Sequence, residues 1–203
     1  MRLSRRKRSG LLIGALIGIV LAVIVLNWSE IRLRWRTWNV VTSVPKGTTY
    51  DAALDEEIQS LGGEAIPHFG RIATETGNDR WTRRVATHAL GVLRDPATIP
   101  YLRRCAQDPD ELIRTDAILA LGMTETEEAI RIVLQHADDP SIYVRAYVCT
   151  ALWFLRDKLD PETLNRALRS KLKDPDPFVR DAARDALDSI REMGNRSRTN
   201  GSG

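Results

Sequence analysis

"DPSIYVRAYVCTALWFL", residues 139–155, is the stretch that decides the fold. It opens on Asp-Pro, places Arg145 six residues after Asp139, and carries Ala151 and Leu152 six and seven residues after the arginine. The same frame stands upstream as "DPDELIRTDAILALG" from Asp108 and downstream as "DPDPFVRDAARDALDSI" from Asp174. A fourth copy, "RWTRRVATHALGVL", keeps Arg83, Ala89 and Leu90 without the Asp-Pro. Arg83, Arg114, Arg145 and Arg180 are spaced 31, 31 and 35 residues apart. A fixed period of this size is the mark of a repeat architecture.

Between these copies lies a second set: "EAIPHFGRIA", "ATIPYLRRCA", "EAIRIVLQHA" and "ETLNRALRSKL". Their matching apolar positions are Ile66, Ile99, Ile130 and Leu164, spaced 33, 31 and 34. Within a segment the apolar residues recur at three and four, as in Ile99, Leu102, Cys105 and Ala106, and no segment sustains a two-residue alternation. The chain is therefore read as all-α, each unit being two helices of about three turns. Pro67 and Pro100 fit the first turn of second helices, where the missing N–H costs little.

These repeats resemble short HEAT-like repeats, in particular the type named after phycobilisome lyase subunits. The resemblance covers residues 77–193 well and 48–76 loosely. It implies a right-handed α-solenoid of about four and a half HEAT-like helix pairs, with second helices on the concave side. The first unit departs from the pattern in lacking the arginine, and the last in having one helix only, Pro175 to about Met193. Degenerate end units are what a solenoid needs where one side meets solvent.

The resemblance also implies a structural ladder, each arginine linking to the aspartate of its own or the next unit: Arg83, Arg114, Arg145 and Arg180 with Asp108, Asp139 and Asp174. An Asp ahead of a helix caps exposed N–H groups and complements the dipole, and an Arg fork can bridge two carboxylates. Sites for chemistry are sparse. His68, His88 and His136 fall in different units at different repeat positions, and there is no His-Glu pair on a helix, phosphate loop or nucleophile elbow. The chain is accordingly expected to be no enzyme and to need no cofactor or metal. Cys105 and Cys149 lie two units apart, on the order of 20 Å at 8–10 Å per helix layer, so they are expected to be free buried thiols.

One surface invites a partner. Aligning the second helices puts Arg71, Arg104 and Arg169 in one column, with Gln135 in the fourth place and Tyr101, Arg103, Arg166 and Lys171 nearby. Two readings stand: a groove for an acidic protein segment, with Tyr101 supplying packing area, or a solvated face paired with neighbouring Asp and Glu.

The N-terminus is of another kind. Leu11 to Leu26 are sixteen residues without a polar side chain, preceded by Arg2, Arg5, Arg6, Lys7 and Arg8. Residues 1–47 hold nine Lys/Arg against Glu30, net +8, whereas residues 48–203 are net −5. The basic balance thus belongs to the membrane-like segment, and an acidic body argues against nucleic acid as a partner. The apolar run is long for a cleaved signal and no small-x-small site follows. From Gly10 to Trp28 a helix would span about 28 Å, near the ~30 Å of a bilayer core. Five cations before the span against Arg32, Arg34, Arg36 and Lys46 after it place the N-terminus in the cytoplasm and the repeats outside. Gly10, Gly14, Gly18 and Ala22 recur every fourth residue, a groove that fits helix pairing and a homodimer, or simply the commonness of glycine in such helices. Trp28, Ile31, Trp35 and Trp38 form a helical stripe that lies at the headgroups or packs on the body.

The expected organisation is a basic cytoplasmic N-terminus (1–9), a transmembrane helix (10–28), a juxtamembrane linker or interfacial segment (29–47), a repeat domain (48–193) and a disordered tail (194–203). The expected function is a single-pass, membrane-anchored scaffold that binds a protein partner without catalysis of its own. A bilin-lyase-like enzyme or lyase subunit and a self-associating structural membrane protein are the alternatives.

Overall fold

The computed structural model describes residues 17, 25 and 27–200, with side chains to Gly194. Helix α1 (Trp28–Ser43) precedes four helix pairs. These are α2 (Ala52–Leu61) with α3 (Ile66–Thr74), and α4 (Arg80–Val92) with α5 (Ile99–Ala106). Then come α6 (Glu111–Thr124) with α7 (Glu127–Gln135), and α8 (Ile142–Phe154) with α9 (Pro161–Lys171). A last helix, α10 (Pro177–Asn200), follows. No strand occurs among the described residues.

Short polar caps start the helices. Asp51, Asp79, Asp110, Thr126 and Asp160 each accept a backbone N–H from the first turn of α2, α4, α6, α7 and α9. Proline sits in the first turn of α3, α5 and α9, where it removes no intrahelical bond. The ladder aspartates stand two residues ahead of the position before the next helix and bind a loop N–H: Asp110 N to Asp108 (2.9 Å), Ser141 N to Asp139 (2.9 Å), Asp176 N to Asp174 (3.0 Å).

First helices stack on first helices, α4 on α6 on α8 on α10, and each packs with its neighbouring second helices. Close backbone approaches occur at Gly91 and Gly122, both eight residues after a ladder arginine. A Cβ on Gly91 would lie 2.8 Å from Ala120 Cα, and one on Gly122 would lie 2.9 Å from Ala151 Cα. The next equivalent position is Trp153, and there α8 and α10 part to leave a groove of about 470 Å³. One continuous core runs from Val40 to Ala186. Each fully buried Leu, Ile or Phe in it, such as Phe69, Leu90, Ile118 and Leu152, contributes about 1.5–3 kcal/mol.

Two expectations change. Residues 29–47 are no linker: α1 buries Thr37, Val40 and Val41 against α2, α3 and α4, and Trp81 Nε1 donates to Val44 O at 3.0 Å. The body therefore begins with α1, whose inward face the tryptophan stripe had obscured. The tail from Gly194, expected to be disordered, continues α10 as helix to Asn200. No helix among the described residues is long and apolar enough to cross a membrane. The span expected over 10–28 lies outside the described residues except for Ile17, Val25, Asn27 and Trp28, as do Gly10, Gly14, Gly18 and Ala22.

Candidate protein-binding face

The repeat arginines fall into two groups. Those of the first helices are consumed internally. Arg114 donates through Nε and Nη2 to Asp139 of the next unit at 3.1 and 3.0 Å, and through Nη1 to its own Asp108 and Pro109 carbonyls at 2.8 and 3.1 Å. Arg145 does the same with Asp174, Asp139 O and Pro140 O. Arg83 binds Asp108 and, in place of an Asp-Pro, the Ala73 carbonyl at 3.0 Å. Arg180 donates to the Asp174 and Pro175 carbonyls. Arg114 and Arg145 thus each take one carboxylate, the next unit's, and two carbonyls of their own; Arg83 takes the next unit's carboxylate and one carbonyl, Arg180 takes two carbonyls, and no fork bridges two carboxylates among the described residues.

Charge follows from this geometry. The Arg145 fork holds the Asp174 carboxyl below the usual carboxylate range. Burial works against the charge on Asp139, but the Arg114 fork and the Ser141 N–H outweigh it, so that carboxyl is lowered too.

The second-helix arginines are different. Arg71, Arg104 and Arg169 are exposed and form no ion pair among the described residues. Arg131 joins them: it is exposed and unpaired in the same way, one turn before Gln135, whose column had seemed to lack a cation. The i, i+4 relation to Gln135 was the signal in the sequence. Four successive second helices, α3, α5, α7 and α9, therefore each present one open guanidinium. The neighbours named with them are not open. Arg103 pairs with Glu128 and Arg166 with Glu162. Lys171 is buried, its Nζ on the Ala137 carbonyl and Asp138 Oδ1, both at 2.6 Å. Tyr101 packs within the stack, its ring where a Cβ on Gly70 would stand 2.3 Å from Cδ1; a tyrosine on a basic helix reads as exposed until that glycine notch is known.

On the first-helix side lies a cluster that sequence reasoning missed. Arg84 forks onto Asp116 at 2.6 and 3.1 Å and lies 5.6 Å from the Trp81 ring centroid. His88 meets Asp55 at 2.8 Å and stacks on Tyr50 at 4.0 Å. The Tyr50 hydroxyl is buried with no hydrogen-bond partner among the described residues. Burial pushes the Tyr50 phenol up and raises the Asp116 carboxyl despite its arginine. The space beside them is small, lined by Leu119, Ala120 and Met123, and no group of three His, Cys, Asp or Glu that could hold a metal ion occurs among the described residues.

Residues 71–142 and 131–198 match the HEAT repeats family, so the chain belongs to the HEAT-repeat proteins. A stretch of 82 residues is 32% identical to a deoxyhypusine hydroxylase of Drosophila pseudoobscura pseudoobscura, covering 39% of this chain and 27% of that protein. The chain thus spans about a quarter of the length of this curated relative. Among solved structures, the complex of CpcE and CpcF of phycocyanin lyase from Nostoc sp. PCC7120 is similar with a TM-score of 0.60 at 19% identity, covering 74% of this chain and 97% of that chain. Cex1p is similar at 0.52 and 15% identity, covering 94% and 43%. At these identities the two structures share the fold. The expectation that the chain is no enzyme is overturned by these relatives, one named as a hydroxylase and one as a lyase complex. A site drawn from single residues of successive units would leave no contiguous motif in the sequence.

Proposed function

We propose that this chain is a HEAT-repeat module that binds an acidic protein segment along its second-helix face. The observation that carries this is the row of open arginines, Arg71, Arg104, Arg131 and Arg169, on a body whose net charge is −5. Cations left unpaired amid an excess of acids are a surface suited to carboxylates, and guanidinium forks bind these two-pronged. A random peptide display library panned on the full chain tests it. Acidic sequences are expected to be enriched on the wild type and lost on Arg104→Glu/Arg169→Glu; enrichment without acidic bias, or unchanged by the reversal, refutes the reading.

The apolar run Leu11–Leu26 supports a membrane anchor, with the denser N-terminal cations cytoplasmic and the repeats on the far side. C-terminal fusions to a reporter active only outside the cytoplasm are expected to report activity; activity of a cytoplasmic reporter alone reverses the orientation. A second reading, a lyase-like subunit working with another HEAT chain, is favoured by the fold match to nearly the whole of a chain from a two-chain lyase. In that case a bilin added to the chain shifts its absorption.

A further inference from the structure

We propose that the outward face of α1 docks on an anionic bilayer, so that the helix lies in the headgroup layer and fixes how the repeat stack stands on the membrane. The inference rests on the membrane location proposed above and adds a surface to it.

α1 has two opposed faces. Leu33, Thr37, Val40 and Val41 turn inward onto the repeats. At 3.6 residues per turn, Trp28, Ile31, Trp35 and Trp38 fall within an arc of about 80° on the opposite side. They are 57%, 44%, 65% and 47% exposed, and include three of the chain's five tryptophans. Leaving them in water forgoes their burial, whereas the headgroup region is where indole rings, apolar with one N–H donor, are most at home.

The cations are arranged to match. Arg32 and Arg36 flank the stripe on one side and Arg34 on the other; all are exposed and none meets a carboxylate among the described residues. Glu30, the one acid of the helix, turns to His68 at 3.3 Å. On the Arg34 side a groove of about 440 Å³ opens between α1 and α3, lined by Arg34, Trp35, Trp38, His68, Arg71 and Glu75. Two unpaired guanidinium groups beside two indoles suit a lipid phosphate at its interfacial depth.

Two observations choose the bilayer over another protein. The polar-free run Leu11–Leu26 ends two residues before Trp28, so whatever buries that run holds the first turn of α1 at the same boundary. A second copy of α1 would oppose arginine-flanked stripes of like charge, which disfavours association.

The test uses the full chain and vesicles of phosphatidylcholine, alone or mixed with phosphatidylglycerol, with or without lipids brominated near the headgroup end of the acyl chain. Co-sedimentation reads membrane association; tryptophan emission reads the depth of α1. Brominated lipid is expected to remove about half of the emission, since interfacial indoles lie within reach of such a quencher. The loss should be larger with phosphatidylglycerol, and Arg34→Glu should cancel that increment. Trp28→Ser/Trp35→Ser/Trp38→Ser should still sediment, keep the helical melting transition of the wild type, and show only background quenching. A chain that sediments while its emission ignores bromine overturns the docking surface and leaves the anchor standing. A chain that stays in solution overturns both. Indoles equally shielded in detergent, in a particle of twice the chain mass, name a second copy as the occupant and overturn the proposal.

Discussion

Arg145 crosses a unit boundary to grip Asp174, Nε to Oδ2 at 2.8 Å and Nη2 to Oδ1 at 3.0 Å, while its Nη1 serves the Asp139 and Pro140 carbonyls at 2.9 and 3.2 Å. The side chains are 13% and 4% exposed. Arg145→Ala strands a carboxylate out of water, which costs about 3–5 kcal/mol when a buried pair loses one partner. Urea denaturation is expected to show that loss. A midpoint within experimental error of the wild type would mean that water replaces the fork.

The same pair sets the response to acid. The folded Asp174 carboxyl lies below its usual value because of Arg145, whereas in the unfolded chain it titrates near 3.9. The unfolded state therefore takes up the proton first on acidification. The ladder's contribution is complete above about pH 5, and it drains away as pH falls through the folded value. Melting temperatures recorded from pH 7 to pH 3 should fall less steeply for Asp174→Asn than for the wild type. An identical acid limb would assign that sensitivity to other carboxylates.

Gly122 offers a purely steric test. Its missing Cβ would meet Ala151 Cα at 2.9 Å and Cβ at 3.0 Å, backbone that cannot swing aside. Gly122→Ala is expected to destabilise the stack by about 1–3 kcal/mol, the usual penalty of overpacking, although alanine is the better helix former. A gain in stability would show that the two helices can part at small cost.

Much of this stack was legible beforehand, and the failures share a cause. The positions aligned at Ile66 and Ile99 open α3 and α5, and those at Ile130 and Leu164 fall in the first turn of α7 and α9, because apolar periodicity and proline placement are properties of the helix itself. What escaped depends on a second element. Tyr101 is spoken for by Gly70 thirty-odd residues away, Lys171 by Asp138 in the preceding unit, and Val40 by a body that the tryptophans beside it do not face. Arg131 stood in another column of the alignment and became visible as a member of the basic face only when exposure was known.

The two thiols give a probe of local opening. Cys105 and Cys149 are free and buried, and burial pushes both up to about 11, so little thiolate forms near neutral pH and access is blocked as well. Maleimide labelling of the folded chain is expected to be slow and to become immediate in denaturant. Rapid labelling of one thiol in native buffer would reveal a unit that opens independently of the rest.

The ladder also has a direction in time. Arg83 reaches Asp108, Arg114 reaches Asp139 and Arg145 reaches Asp174, each toward the C-terminus. Because a chain is synthesised from its N-terminus, every one of these guanidinium groups emerges before the carboxylate that receives it. A unit acquires its last polar bond only when its successor has been made, so consolidation trails the growing end by one repeat. Removing units from the C-terminal side uncovers a bare arginine, whereas removing them from the N-terminal side uncovers a bare aspartate; the two truncations of this repeat array are chemically opposite.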